Sequence, residues 1–127
     1  MARMASRRGT WRPTVSVDHA DGLMVLAVAG RLGETGAAST TLRSALTQGL
    51  ENARGLVVDL SAVDYLSSPG LHLLEEVVVQ ASARGIPLAF CCFTDPVRIA
   101  LDLAEMTARL PYVSTRAEAV SVLKRRT

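Results

Sequence analysis

The sequence predicts an α/β domain: a mostly parallel sheet, an N-terminal antiparallel edge strand and about four helices. Three observations carry that expectation. The chain opens on a hairpin pattern, in which the alternating Thr14–Asp18 and the more apolar Leu23–Ala29 flank Asp21-Gly22, a dipeptide favoured in type I′ turns. After it, apolar runs alternate with amphipathic stretches of ten or more residues, the arrangement of strands joined by right-handed helical crossovers. Third, the runs Leu56–Leu60 and Ile86–Phe93 are almost wholly apolar, as in strands covered on both faces. The expected order is β-β-α-β-α-β-α-β-α.

Each element has its own signal. Gly30–Gly36 reads as a polar, glycine-rich connection. Ala38, Leu42, Ala45, Leu46, Gly49 and Leu50 then recur at helical spacing. A second amphipathic helix carries Leu71, Leu74, Val77, Val78 and Ala81 on one side, with His72, Glu75, Glu76, Gln80 and Arg84 on the other. Its start is marked by Ser68-Pro69: proline disfavours the α conformation in the residue before it, and serine is a preferred N-cap, so Ser68 is expected to cap with Pro69 at the first helical position. Asp95-Pro96 repeats the device for a short third helix. Gly85 is placed to end the second helix in the left-handed region, with Pro87 preventing continuation. Leu110–Val113 reads as a last short strand, and Thr115 with Glu118 as the capping box of a final helix.

The chain of 127 residues accommodates one domain, expected over 13–127, with residues 1–12 as a mobile tail. Fourteen basic against twelve acidic residues leave a net charge of +2, which argues against a dedicated nucleic-acid surface. The basic residues gather at the two ends, Arg3, Arg7, Arg8 and Arg12 at the front and Lys124, Arg125 and Arg126 at the back, and are read as solvated tails. No apolar segment follows Arg7-Arg8 as a secretory signal needs, and none reaches a membrane span, so a cytoplasmic protein is expected. Cys91 and Cys92 are adjacent on a strand and point to opposite faces in regular β geometry. They are read as two reduced core thiols, neither a C-x-x-C motif nor a metal pair.

Conventional catalytic constellations are missing. His19 and His72 lie in no metal-ligand pattern, no G-x-S-x-G elbow surrounds Ser68, and Gly33 and Gly36 form neither a P-loop nor a dinucleotide fingerprint. Asp59, Asp64 and Asp95 fall near strand ends, where α/β folds place ligands and where turns and caps also use aspartate. The start of the second helix remains. Its free amides and partial positive charge suit an anion or a phosphoryl group. Ser68 is therefore either a cap alone or a cap that also takes a phosphate.

From residue 14 onward the chain resembles the STAS domain family, specifically the single-domain anti-sigma factor antagonists of bacteria. Val57-Val58-Asp59-Leu60 matches the family strand V-x-D-L, and Ser67-Ser68-Pro69-Gly70-Leu71 aligns with D-S-S-G-L. Gly30-Arg31-Leu32 with Thr35 and Ala37, Arg84-Gly85 and Pro96-Val97-Arg98 add to the ordered set. The resemblance implies that this chain binds an anti-sigma factor with a serine-kinase fold and so releases a sigma factor. The partner would bring ATP and magnesium, leaving this chain a substrate with no cofactor and no catalytic residue of its own. Ser68 is the implied phosphorylation site. Arg31, Gly33, Thr35, Ser67, Ser68, Pro69, Gly70, His72, Glu75 and Glu76 are the implied docking face. Three positions depart from the pattern: Ser67 and Gly33 replace aspartates, and Pro69 replaces the second serine. The losses at Ser67 and Gly33 favour an alternative, a constitutive STAS binding module in a stress-signalling or lipid-transport assembly. A nucleotide sensor is the weaker third reading, since no base-reading or phosphate-clamping motif is present.

Overall fold

The computed structural model describes residues 14–20, 22–32 and 37–126. The expected N-terminal tail, Asp21, Gly33 and Thr35 lie outside the described residues. The elements follow the predicted order: β1 (Thr14–Ala20), β2 (Leu23–Leu32), α1 (Ala37–Asn52), β3 (Gly55–Leu66), α2 (Ser68–Arg84), β4 (Leu88–Cys91), α3 (Asp95–Leu103), a 3₁₀ turn (Thr107–Arg109), β5 (Tyr112–Val113) and α4 (Arg116–Arg126). One sheet of five strands runs in the order β1-β2-β3-β4-β5. The β1–β2 pair is antiparallel and the other three pairs are parallel.

Side chains alternate across the inner strands and divide the core by face. Met24, Leu26 and Val28 of β2, Leu56, Val58 and Leu60 of β3, and Leu88 and Phe90 of β4 pack with α1, α2 and α3. Leu23, Val25, Val57, Ala89 and Cys91 point the other way and are covered by Ala119 and Leu123 of α4.

Three differences from the sequence reading matter. The stretch after Leu60 is not a short connection, because β3 continues to Leu66 alongside β2. Register shifts between Ala27 and Ala29 and between Gly30 and Arg31 each leave one extra residue on β3. The spacing of core residues therefore lengthens from two to three, and Leu60, Val63 and Leu66 all face the same core. Gly30 to Leu32, expected in a connection, belong to β2 and form the other half of this bulged ladder. β4 is shorter than its apolar run, since Cys92 has φ of 63° and ends the extended backbone.

The helix starts are shifted by one residue. Ser67, not Ser68, is the N-cap of α2, and Thr94, not Asp95, is that of α3. The Ser67 carbonyl accepts the Leu71 N–H at 2.9 Å, and the Thr94 carbonyl accepts the Arg98 N–H at 2.9 Å. Each is a first intrahelical bond, so each marks its residue as the cap. Proline at the second helical position is tolerated because all of the first four N–H groups lack intrahelical partners. Gly85 closes α2 as expected, at φ of 68°, with Ile86 N–H donating to Ala81 and Gly85 N–H to Ser82. At α4 the Thr115 hydroxyl accepts the Glu118 N–H at 3.1 Å, while the Glu118 carboxylate accepts from Ser114, one residue before the cap.

Candidate functional site

The bulged end of β3 delivers the chain to α2 at Tyr65-Leu66-Ser67. Leu66 anchors this corner in the core, and Ser67 beyond it is half-buried in extended backbone at φ −94° and ψ 175°. Its hydroxyl accepts the Gly70 N–H at 3.3 Å. Gly70 is buried, whereas Ser68 and Pro69 are exposed. The two serines thus have different work: Ser67 holds the helix start and Ser68 presents its hydroxyl outward from the first helical position. The sequence reading assigned the cap to the wrong one of the pair.

This division also limits anion binding. Among the first amides of α2, Pro69 has no N–H, Gly70 donates to Ser67 and Leu71 donates to the Ser67 carbonyl. Few donors are left to cradle a free phosphate or nucleotide, which counts against the nucleotide-sensor reading.

Around Ser68 the implied docking residues fall into three groups. β2 ends beside this corner, with Arg31 opposite Tyr65 and Leu32 opposite Leu66. The backbone of Arg31 is therefore brought to the start of α2, while Gly33 and Thr35 lie beyond the described residues. His72 is exposed one turn along α2, next to the buried Leu73 and Leu74. Further along the helix, Arg43 of α1 donates through Nη1 to both carboxylate oxygens of Glu76 at 2.7 Å. Glu76 thus ties α1 to α2. Tyr65, 38% exposed beside the helix start, is an apolar contributor that sequence reasoning missed. The signal available in the sequence is an aromatic side chain in the stretch expected as a connection.

The remaining acidic candidates are distributed elsewhere. Asp64 is an exposed residue of the bulged segment, and Asp95 occupies the first turn of α3. Asp59 is 5% exposed on the α4 side of the sheet, where its Oδ1 accepts the Ser61 N–H at 2.8 Å and its Oδ2 accepts Arg116 Nε at 2.9 Å. Burial pushes this carboxyl upward, but the Ser61 and Arg116 hydrogen bonds and the Arg116 charge outweigh it and hold the group below its ordinary value. Arg116 had no local signal, lying 57 residues from its partner. No described helix is long and apolar enough to cross a membrane.

A mixed five-stranded sheet with an antiparallel edge strand, helices on both faces and an exposed serine at the start of the helix after the central strand define a small α/β domain. The STAS domain profile matches residues 14–119, and the chain belongs to that family. An anti-sigma factor antagonist from Mycobacterium paratuberculosis is similar in structure, with a TM-score of 0.76 and 23% identity over 88% of this chain and 94% of that one. A serine-to-glutamate variant of RsbS from Moorella thermoacetica gives a TM-score of 0.71 and 22% identity over 88% and 96% of the two chains. The anti-sigma factor antagonist SpoIIAA in its unphosphorylated form gives 0.73 and 12% identity over 88% and 97%. A search of curated proteins gives no match.

Proposed function

We propose that this chain is an anti-sigma factor antagonist, which docks through the start of α2 onto an anti-sigma factor with a serine-kinase fold. Binding occupies that factor and releases a sigma factor. Ser68 is the phosphoryl acceptor, and the partner contributes the nucleotide, the magnesium and the catalytic residues. In this reading the chain is a substrate and a ligand, and no enzyme. It works in the cytoplasm, without inserting in a membrane or binding nucleic acid.

The observation that carries the reading is the division of labour between the two serines. A hydroxyl engaged in capping is a poor acceptor, and here Ser67 caps while the exposed Ser68 is left to the solvent side. Ser and Asp are both preferred N-caps, so the replacement of the family aspartate by Ser67 keeps the helix start intact. A phosphate on Ser68 would add about −1.5 to −2 charges at the helix end. The helix dipole favours that charge by roughly 0.3–1 kcal/mol, and Arg43 already neutralises the nearby Glu76. The domain itself therefore tolerates phosphorylation, and the effect falls on the docked partner. Arg31, Gly33, Thr35, Pro69, Gly70, His72 and Glu75 complete the proposed face. Similarity in structure to the Bacillus cell fate determinant SpoIIAA in its phosphorylated form and to the stressosome, a signal integration and transduction hub, supports the reading.

Incubation with the cognate anti-sigma factor and ATP should add one phosphate, located on Ser68 by mass spectrometry and absent from Ser68→Ala. Stable binding with no transfer would instead select the constitutive STAS module, a reading that Pro69 favours by removing an amide and stiffening the helix start.

A further inference from the structure

We propose that Asp59, Cys91 and Cys92 form a binding site for a thiophilic divalent cation of the zinc class, on the face of the sheet opposite Ser68's helix. The two thiols are adjacent in sequence, and regular strand geometry would send them to opposite faces. The structure does otherwise. Cys91 is the last residue of β4 and points toward α4, in register with Asp59 of β3. Cys92 adopts φ of 63°, a left-handed conformation that side chains rarely take, and this turns its side chain onto the same cluster. The two sulfurs and a carboxylate oxygen of Asp59 lie within 4.8 Å of one another. Tetrahedral zinc with ligand bonds near 2.3 Å needs sulfurs about 3.8 Å apart, a small side-chain movement from this arrangement.

The donor set is suited to such an ion in three respects. Thiolate and carboxylate donors are the chemistry that zinc and cadmium select. Two thiolates and one carboxylate face a divalent cation and the Arg116 guanidinium, so the charges in this buried corner cancel. The outer support is already built: Ser61 and Arg116 each hold one Asp59 oxygen and leave lone pairs free, as partners of metal-binding carboxylates do. Cys91 and Asp59 are buried, while Cys92 is half-buried and is the donor nearest solvent. Binding releases the thiol protons. The left-handed Cys92 also has a reason here, since a strained non-glycine backbone persists where surrounding interactions demand it.

The test uses the full, reduced protein titrated with cadmium, followed by the thiolate-to-cadmium charge-transfer absorption, and with zinc by calorimetry. Expected are one equivalent bound at micromolar affinity or better and a thermal midpoint that rises with ion concentration. Cys92→Ser, whose fold is checked by circular dichroism, should lose at least about tenfold in affinity. The cadmium NMR resonance of the wild-type complex should report two sulfurs with oxygen donors. No charge-transfer band in the folded, reduced protein overturns the proposal, as does undiminished binding by Cys92→Ser or a resonance without sulfur ligation.

Discussion

The two faces of the sheet are built on different terms. One is covered by three helices and has an almost entirely apolar core, centred on Leu26, Val58, Leu60, Phe90 and Leu101. Among the described residues the other is covered by α4 alone, and beside its small apolar cluster lies their one buried charged group, Asp59. The first face positions the Ser68 helix by bulk packing. The second holds its single helix by a few apolar side chains and a hydrogen-bonded ion pair. Packing is insensitive to pH and tolerant of surface change, whereas the polar attachment is local, directional and dependent on protonation. The candidate docking surface therefore stands on the more robust half of the molecule.

The contrast can be broken most forcefully at Phe90. Phe90→Ala should cost about 3–5 kcal/mol in denaturant unfolding and weaken the whole domain, because the ring is wholly buried between helices and sheet. Leu123→Ala on the other face should cost about 2–4 kcal/mol, with faster hydrogen exchange concentrated in α4. Equal exchange across both faces would show that α4 does not open separately.

Arg116→Met should cost less, about 1–2 kcal/mol, because the guanidinium is 42% exposed while its partner is buried. A pH series sharpens the same point. Asp59's carboxyl is lowered in the folded state, so its contribution is fully present above the unfolded value near 3.8 and is lost as pH falls through the folded value. Acid unfolding of Arg116→Met should accordingly begin at higher pH than that of the parent chain. An unchanged acid limb would mean that the ion pair does not hold α4.

Smallest in energy but most informative about the site is the serine pair. Ser67→Ala should lose about 1 kcal/mol with the cap, and Ser68→Ala should stay within about 0.5 kcal/mol of the parent. The reverse order would restore Ser68 as the cap.

Element order was legible in the sequence because periodicity reports faces, and the faces here are cleanly separated. The helix-closing Gly85 and the Thr115–Glu118 box were legible because their chemistry is local. What escaped was set by tertiary geometry. The far half of β3 looked like a connection because two bulges disrupt its alternation, and those bulges exist only through pairing with β2. The cap was expected one residue too late because the pre-proline preference is weak against a first helical bond from Leu71. Cys92 was placed on the wrong face because a left-handed residue after a strand has no signature unless it is glycine. Of the site, Ser68 and its neighbours were visible as a motif, whereas Tyr65's exposure and the tethering of Glu76 by Arg43 required the packed helices.

The most direct test of Ser68 as the centre of the docking face is the affinity of the cognate anti-sigma factor for two variants of equal stability. Ser68→Ala should bind as the parent chain does, because the hydroxyl is not part of the cap. Ser68→Asp, which places a charge at the same point, should bind at least about tenfold more weakly. Parent-like binding by Ser68→Asp, with its thermal midpoint unchanged, would contradict a docking face centred on Ser68.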